Sequence, residues 1–414
     1  MGTEQADTPQ DISRRRVFYI PGYDPIHPRR YRELYRKESA AQADISGYDI
    51  RLTPKRTGGL YGWHVDGVMA GQTVATDMEV LVWSDIVRDS MSTSIPATYA
   101  QLLVTAWEYI ATGVLWRLMR LRKGPVIAAL YPIGMLLLQL ALAICLGWGV
   151  ARLVDIGIGG FIGGVSLWVG MIAGGVAAIA LLRWFKKKDG KIFAYYLMHD
   201  YAYSARHRGA NPPELETRMA EFGEIIAQAL TEDVDEVLVV GHSSGAHLAV
   251  SILADLIRAD RVPSDGPKLG FLSLGQVVPM VSFLRDAHRL RADLRDLSLS
   301  DALTWVDVTA PGDGCAFALC DPVSVSGVAP PGKRWPLVFS AQFTRSLSPE
   351  RWKDLRWKFF RLHFQYLCAF DRPLDYDYFQ ITAGPMSLAA RYADRPPSAS
   401  RIDVAVSKYT SVAA

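Results

Sequence analysis

Cysteine is scarce in this chain. Its 414 residues hold four, Cys145, Cys315, Cys320 and Cys368, with no Cys-x-x-Cys pair and no Cys/His zinc spacing. Nothing therefore requires a disulfide. Four reduced thiols are expected, with no metal and no cofactor. An excess of one charge is also missing. Net charge is +3 from 45 basic and 42 acidic residues, which makes no case for a nucleic-acid partner. Residues 1–16 are polar and lack the apolar core of a secretory signal. Ala6 stands where a myristoylation motif needs Ser or Thr. There is no Walker A loop and no dinucleotide fingerprint.

Charge itself vanishes from two stretches. Gly124 to Ala151 contains no charged residue, and neither does Ile156 to Leu182. Each exceeds the ~20 apolar residues that cross a ~30 Å hydrocarbon layer. Only Arg152 to Asp155 separates them, so they read as a transmembrane helical hairpin, against a pair of buried helices in a soluble core. Arg117, Arg120, Arg122 and Lys123 precede the first span, and Arg183, Lys186, Lys187, Lys188 and Lys191 follow the second. The positive-inside rule then predicts an integral membrane protein with both termini and the large parts of the chain in the cytoplasm. The second span carries Gly-x-x-x-Gly spacings among Gly159, Gly160, Gly163, Gly164, Gly170 and Gly174. These let another helix approach closely. That helix is either the first span or one of a second copy, in a homo-oligomer.

Outside the hairpin the pattern is α/β. Val17 to Ile20 is a short apolar run stopped by Pro21-Gly22 and reads as a buried strand. Tyr31 to Ala43 is helical in character, and Tyr48 to Thr53 alternates like a strand. Tyr61 to Trp83 reads as two strands around an Ala70-Gly71 turn. Residues 97–120 read as one amphipathic helix. Beyond the hairpin, Phe193 to Ala229 is helical with a break at Asn211-Pro212-Pro213. Glu236 to Val240 is an apolar strand, Ala246 to Ala259 a helix and Leu269 to Leu274 a strand, and 277–296 look helical. Further strands fall at Leu303 to Val308 and Pro336 to Phe343. Alternation of this kind implies a mostly parallel central sheet with helices on both faces. The expected division is a tail over 1–16, a first α/β part over 17–96, a membrane-proximal helix over 97–123, the hairpin over 124–183, the rest of the α/β domain over 184–395 and a C-terminal tail over 396–414.

One motif carries chemistry. Gly241-His242-Ser243-Ser244-Gly245 follows the strand Glu236 to Val240 directly and leads directly into a helix. Gly-x-Ser-x-Gly alone is a common accident; between a strand and a helix it is a nucleophile elbow. The turn is too sharp for a side chain at Gly241 or Gly245. It lifts the Ser243 hydroxyl clear of the sheet, and the helix start beneath it offers N–H groups and positive potential to an oxyanion.

In these residues the chain resembles an α/β-hydrolase-fold serine hydrolase of the esterase/lipase kind, at superfamily level. The resemblance covers most of the chain outside the hairpin and rests on a few short motifs. It implies the chain order Ser, then Asp or Glu, then His. Among eight histidines only His363 lies after the candidate acids, so it is the expected general base, although it stands about twenty residues past the last strand. The alternative is a packed helix histidine. Asp313, in Ala310-Pro311-Gly312-Asp313-Gly314, is the expected acid, with Asp321 as the alternative and Asp307 a strand residue of structural role. The oxyanion hole should join the N–H of Ser244 to that of Tyr23, in the loop Ile20-Pro21-Gly22-Tyr23-Asp24, where Pro21 replaces the family's usual His.

The other histidines read as structural. His242 and Ser244 shape the turn, His247 is a satisfied core residue, and His199-Asp200 and His64-Val65-Asp66 lack a third metal ligand. Arg29, Arg30, Arg32, Arg36 and Lys37 read as a solvated helix face that is able to touch lipid headgroups. The expected function is a membrane-anchored serine hydrolase cleaving a lipid-like or acyl ester through acyl-Ser243. The hairpin is an inserted segment that, with residues 97–120, holds the pocket near the bilayer. An acyltransferase or thioesterase would use the same triad. A non-catalytic membrane interaction protein on the same fold is the opposing class.

Overall fold

A computed structural model describes residues 11–55, 58–91, 94–162 and 164–413. In chain order the elements used below begin with β1 (Arg14–Ile20), α1 (Arg29–Ser46), β2 (Asp49–Pro54), β3 (Gly62–Met69) and β4 (Gln72–Val80). Six helices follow: α2 (Ile95–Ala106), α3 (Val114–Leu121), α4 (Lys123–Ile162), α5 (Val165–Lys187), α6 (Ala194–Arg206) and α7 (Pro213–Ala229). Then come β5 (Glu236–His242), α8 (Gly245–Arg258), β6 (Lys268–Leu274), α9 (His288–Leu299), β7 (Thr304–Thr309) and β8 (Leu337–Ser340). The last are α10 (Pro349–Leu355), α11 (Phe359–His363) and α12 (Tyr378–Ala383). The chain divides into two compact units. One comprises Met1–Arg88, Gly113–Pro125 and His207–Ala414; the other comprises Asp89–Thr112 and Val126–Arg206.

The first unit is an eight-stranded sheet in the order β2-β3-β4-β1-β5-β6-β7-β8. From β4 to β8 every neighbouring pair is parallel; β3 runs against both β2 and β4. The sheet is thus mixed and mostly parallel. The β3–β4 hairpin turns through Ala70 (φ 50°) and Gly71 (φ 79°), two left-handed residues whose twist matches a two-residue hairpin. Central strands are apolar on both faces, as helices on both sides demand. Val17, Tyr19, Leu238, Val240, Leu272 and Val306 pack with Tyr31 and Tyr35 of α1 and Phe379 and Ile381 of α12. Their strand neighbours point to the other side, where α8 lies against β5 and next to α7 and α9.

Several boundaries differ from the sequence reading. β1 begins at Arg14 rather than after residue 16, because Arg15 is buried in an ion pair with Glu236 of β5 (2.6 Å) and a buried guanidinium needs such a partner. Residues 277–296 are not one helix; a short turn of helix, Val278–Ser282, precedes α9. Among the described residues, 396–413 form no helix or strand, yet they are bonded to the sheet unit: Ile402 N–H donates to the Leu319 carbonyl and Val406 N–H to that of Val325.

The second unit contains two helices long and apolar enough to cross a membrane, α4 and α5. The predicted connecting loop, Arg152 to Asp155, is helical: α4 runs 40 residues to Ile162. α5 then packs back along it. A Cβ at Gly174 would overlap the Gly147 carbonyl, and one at Gly170 would lie 2.5 Å from that of Ala151. The Ser166 hydroxyl donates to Asp155 (2.6 Å). The glycine spacings thus bring the two helices of the hairpin together. At 1.5 Å per residue α5 is about 35 Å long and α4 about 60 Å, so only part of α4 matches a ~30 Å layer. Its earlier turns are covered within the unit: Leu136 packs with Leu102 of α2 and Ala194, Tyr195 and Met198 of α6. Residues 97–120 do not form one helix. α2 passes into a π turn over Trp107–Ala111, and Gly113 (φ 79°) ends that run before α3.

Candidate functional site

The sheet's strand order places a crevice before any side chain is considered. After β1 the chain crosses to the edge strand β2 and returns inward through β3 and β4; after β5 it builds outward on the other side through β6, β7 and β8. Adjacent parallel strands whose connections diverge leave an opening at their carboxyl ends. The loop after β1 and the turn after β5 meet there. A Cβ on Gly22 would lie 3.0 Å from Cβ and 3.4 Å from Oγ of Ser243.

Ser243 is a non-glycine residue held at φ 56°, a left-handed conformation that costs energy and persists only when its surroundings impose it. Its N–H donates to the Leu274 carbonyl of β6 (2.9 Å), and its carbonyl accepts from Ala246 (3.1 Å). A side chain at Gly245 would overlap the Ile20 carbonyl; one at Gly241 would lie 2.7 Å from Cα of Ala246. Both glycines are therefore required by the turn. Ser243 and Ser244 are partly exposed, whereas Gly241, His242, Gly245 and Ala246 are buried. Ser244 opens α8, where the first backbone N–H groups have no intrahelical acceptor. Tyr23 is buried edge-on against Trp83, whose indole N–H donates to the Pro21 carbonyl (2.9 Å). Asp24 completes the loop, accepting from the Tyr31 hydroxyl (2.5 Å), the Ile26 N–H (2.9 Å) and Arg30 (2.9 Å). Arg30 also lies over the Phe364 ring, so this member of the basic helix faces the protein.

His363 and Asp313, fifty residues apart, form a buried pair with Nδ1 to Oδ2 at 2.7 Å. The Tyr366 hydroxyl donates to the same Oδ2 (3.0 Å) and the Cys315 N–H to Oδ1 (2.9 Å). Burial opposes charge on Asp313. The His363 ring, with the Cys315 amide and the Tyr366 hydroxyl, outweighs it and holds the carboxyl below its usual range. An ionised carboxylate only accepts, so Nδ1 of His363 carries a proton; in a neutral ring Nε2 is then the acceptor nitrogen. Cε1 of His363 lies 3.1 Å from the Cβ position of Gly275, the residue after Leu274, which holds Ser243. Among the described residues no hydrogen bond joins the Ser243 hydroxyl to His363; such bonds commonly tighten only with substrate bound.

His242 ties His363 to the turn after β5. Its Nε2 donates to the His363 carbonyl (3.0 Å), and Tyr19 donates to its Nδ1 (3.3 Å). Burial, reinforced by His363, pushes its pKa down to about 3, so it stays neutral and structural. Asp321 is turned to other work. Its carboxylate caps Pro322–Val325 through Val323 and Ser324 (3.0 Å each) and pairs with Lys333. Asp307 bonds Ser273 (2.6 Å) inside the sheet, and burial raises its pKa to about 8. His64 sits between Asp77 (2.7 Å) and Asp66 (3.1 Å) on the hairpin, and His199 bonds Gln101 (2.7 Å). His247 differs from expectation: its Nδ1 is buried without a hydrogen-bond partner, and burial lowers its pKa to about 4.

Two participants were not singled out from the sequence. Tyr366 stands three residues after His363, a spacing that returns to one helix face. Cys315 stands two after Asp313, and one donor atom each from Asp313, Cys315 and His363 lies within 4.8 Å of the others. A thiol, an imidazole and a carboxylate are together a set able to hold a zinc-like ion. A cavity of about 520 Å³ lies elsewhere, at the amino ends of β7 and β8 beside Thr304, Trp335 and Leu337. Its Lys333, Arg334, Arg395 and Arg401 are each in ion pairs, and it holds none of the elbow residues. Compared with known proteins, the chain matches no family model, no curated protein and no solved structure.

Proposed function

We propose that this protein is a membrane-anchored serine hydrolase that cleaves an acyl ester through an acyl-Ser243 intermediate. The observation that supports this reading is a left-handed Ser243 just after β5 whose preceding residue, His242, packs on the ring of a His363 bonded to Asp313. In this mechanism the Ser243 oxygen attacks the ester carbonyl and its proton passes to Nε2 of His363. The backbone N–H groups of Ser244 and Tyr23 bind the oxyanion. The intermediate collapses as His363 gives the proton to the leaving alcohol. Water then attacks the acyl-enzyme by the same path in reverse, releasing the acid and restoring Ser243.

Two apolar helices inside the chain favour a substrate that is itself lipid-like. The cations flanking them support a cytoplasmic site with both termini on that side. Fluorophosphonate labelling in membranes tests the chemistry: labelling is expected in the wild type and absent in Ser243→Ala. Equal labelling in both, or none in folded wild type, overturns it. Protease protection of tags at the two termini tests the topology, and a lumenal tag at either end contradicts it.

A further inference from the structure

Trp357, between α10 and α11, and Phe359 and Phe360, at the start of α11, stand 71 %, 49 % and 38 % exposed. Three large rings so close in sequence and so open to water are costly on a soluble surface and mark an interaction site. Cations are interleaved with them. From Pro349 to His363 there are five, Arg351, Lys353, Arg356, Lys358 and Arg361, against Glu350 and Asp354. Arg356 lies over the Trp357 ring.

The location of this stretch is specific. α11 starts at Phe359 and ends at His363. The Cβ position of Gly314, the residue after Asp313, is 3.1 Å from Cδ1 of Phe359. The Cβ position of Gly124, in the first turn of α4, is 3.1 Å from Cα of the same Gly314. Phe359 and the root of the apolar helix therefore pack on one glycine, next to the Asp313 that orients His363.

We propose that Trp357, Phe359 and Phe360, with Arg356, Lys358 and Arg361, form a lip that dips into the interface of an anionic bilayer and guides acyl chains from the leaflet to Ser243. The second half of this statement rests on the hydrolase reading; the first does not. Indole and phenyl rings favour the headgroup boundary, and long cationic side chains reach past it to phosphate. The spans hold the lip at high effective concentration near a bilayer, so weak adsorption suffices.

The test uses the full chain in single-copy lipid nanodiscs, either neutral phosphatidylcholine or an equal mixture with phosphatidylglycerol. Quenching by brominated acyl chains is compared between wild type and Trp357→Phe. A quenched component that disappears in the variant, larger in anionic discs, is expected. An identical quenched fraction in both proteins overturns the lip, and shielding of Trp357 only in discs holding two copies assigns the patch to a second copy instead. Ser243 labelling is then read with a long-chain, bilayer-dissolved fluorophosphonate and with a short, water-soluble one. Reversing two cations, Arg356→Glu with Arg361→Glu, is expected to lower the long-to-short ratio in anionic discs by about tenfold. An unaltered ratio overturns the guiding role. Should the short probe fail to label wild type, the hydrolase reading is lost, while the quenching measurement still decides whether the lip enters the bilayer.

Discussion

Oδ2 of Asp313 stands 2.7 Å from Nδ1 of His363 and takes a second hydrogen bond from the Tyr366 hydroxyl at 3.0 Å. A carboxylate held from two sides cannot rotate away from the imidazole, so it fixes the ring's direction and keeps a proton on Nδ1. The two acids named from the sequence can then be separated by experiment. Asp313→Asn is expected to slow ester turnover by roughly 10⁴-fold through loss of that tautomer. Asp321→Ala is expected to keep turnover and to lower stability by about 1–2 kcal/mol as a lost helix cap. Turnover and thermal melts of the two variants decide; the reverse pattern would make Asp321 the acid.

The glycines around Ser243 should fail in different ways. A methyl at Gly245 overlaps the Ile20 carbonyl, a backbone atom in the central sheet that cannot move aside. Gly245→Ala is therefore expected not to fold. A methyl at Gly22 comes 3.0 Å from Cβ of Ser243 and 3.4 Å from its hydroxyl oxygen, a crowding that a small shift relieves. Gly22→Ala should fold and lose about tenfold or more in turnover through a misplaced oxyanion loop. Circular dichroism with active-site titration separates the two, and a fully active Gly22→Ala would remove the loop from the site.

Asp307 makes stability fall as pH rises. Its carboxyl is wholly buried, and its pKa is raised from 3.8 to about 8. Below pH 4 both folded and unfolded chains keep its proton. Between about 4 and 8 only the folded chain does, so each pH unit removes up to about 1.4 kcal/mol from folding. Asp307→Asn keeps an acceptor for Ser273 without the proton linkage. Its melting temperature relative to wild type is expected to climb from pH 5 to pH 8; a constant offset would mean that Asp307 does not titrate in this window.

Zinc should inhibit through Cys315. Its thiol lies with His363 and Asp313 in a cluster able to hold a soft divalent ion, and such an ion would replace the hydrogen bond that orients His363. Micromolar zinc is expected to slow Ser243 labelling reversibly, and Cys315→Ser to need about tenfold more zinc or beyond. Equal sensitivity in the two proteins would exclude Cys315 as a ligand.

Local pattern made much of this molecule legible. An apolar run leading into Gly-x-Ser-x-Gly marks a strand and its turn wherever it occurs, because the collision at Gly245 follows from the turn. Runs without charge mark long apolar helices for the same reason of solvation. The loop expected at Arg152 to Asp155 failed because two charges do not break a helix; α4 runs on to Ile162 and α5 begins at Val165. The single helix over 97–120 failed at Gly113, whose left-handed backbone ends it.

By itself the sequence determined which segments are strands, which are apolar helices and where a strained serine must sit, since these depend on neighbours a few residues away. Only the tertiary structure decided that Asp313 rather than Asp321 bonds His363, that Tyr366 and Cys315 join that pair, and that Phe359 and Gly124 pack on one glycine. Those are contacts across dozens to hundreds of residues, set by how the strands order in the sheet, and no local periodicity encodes that order.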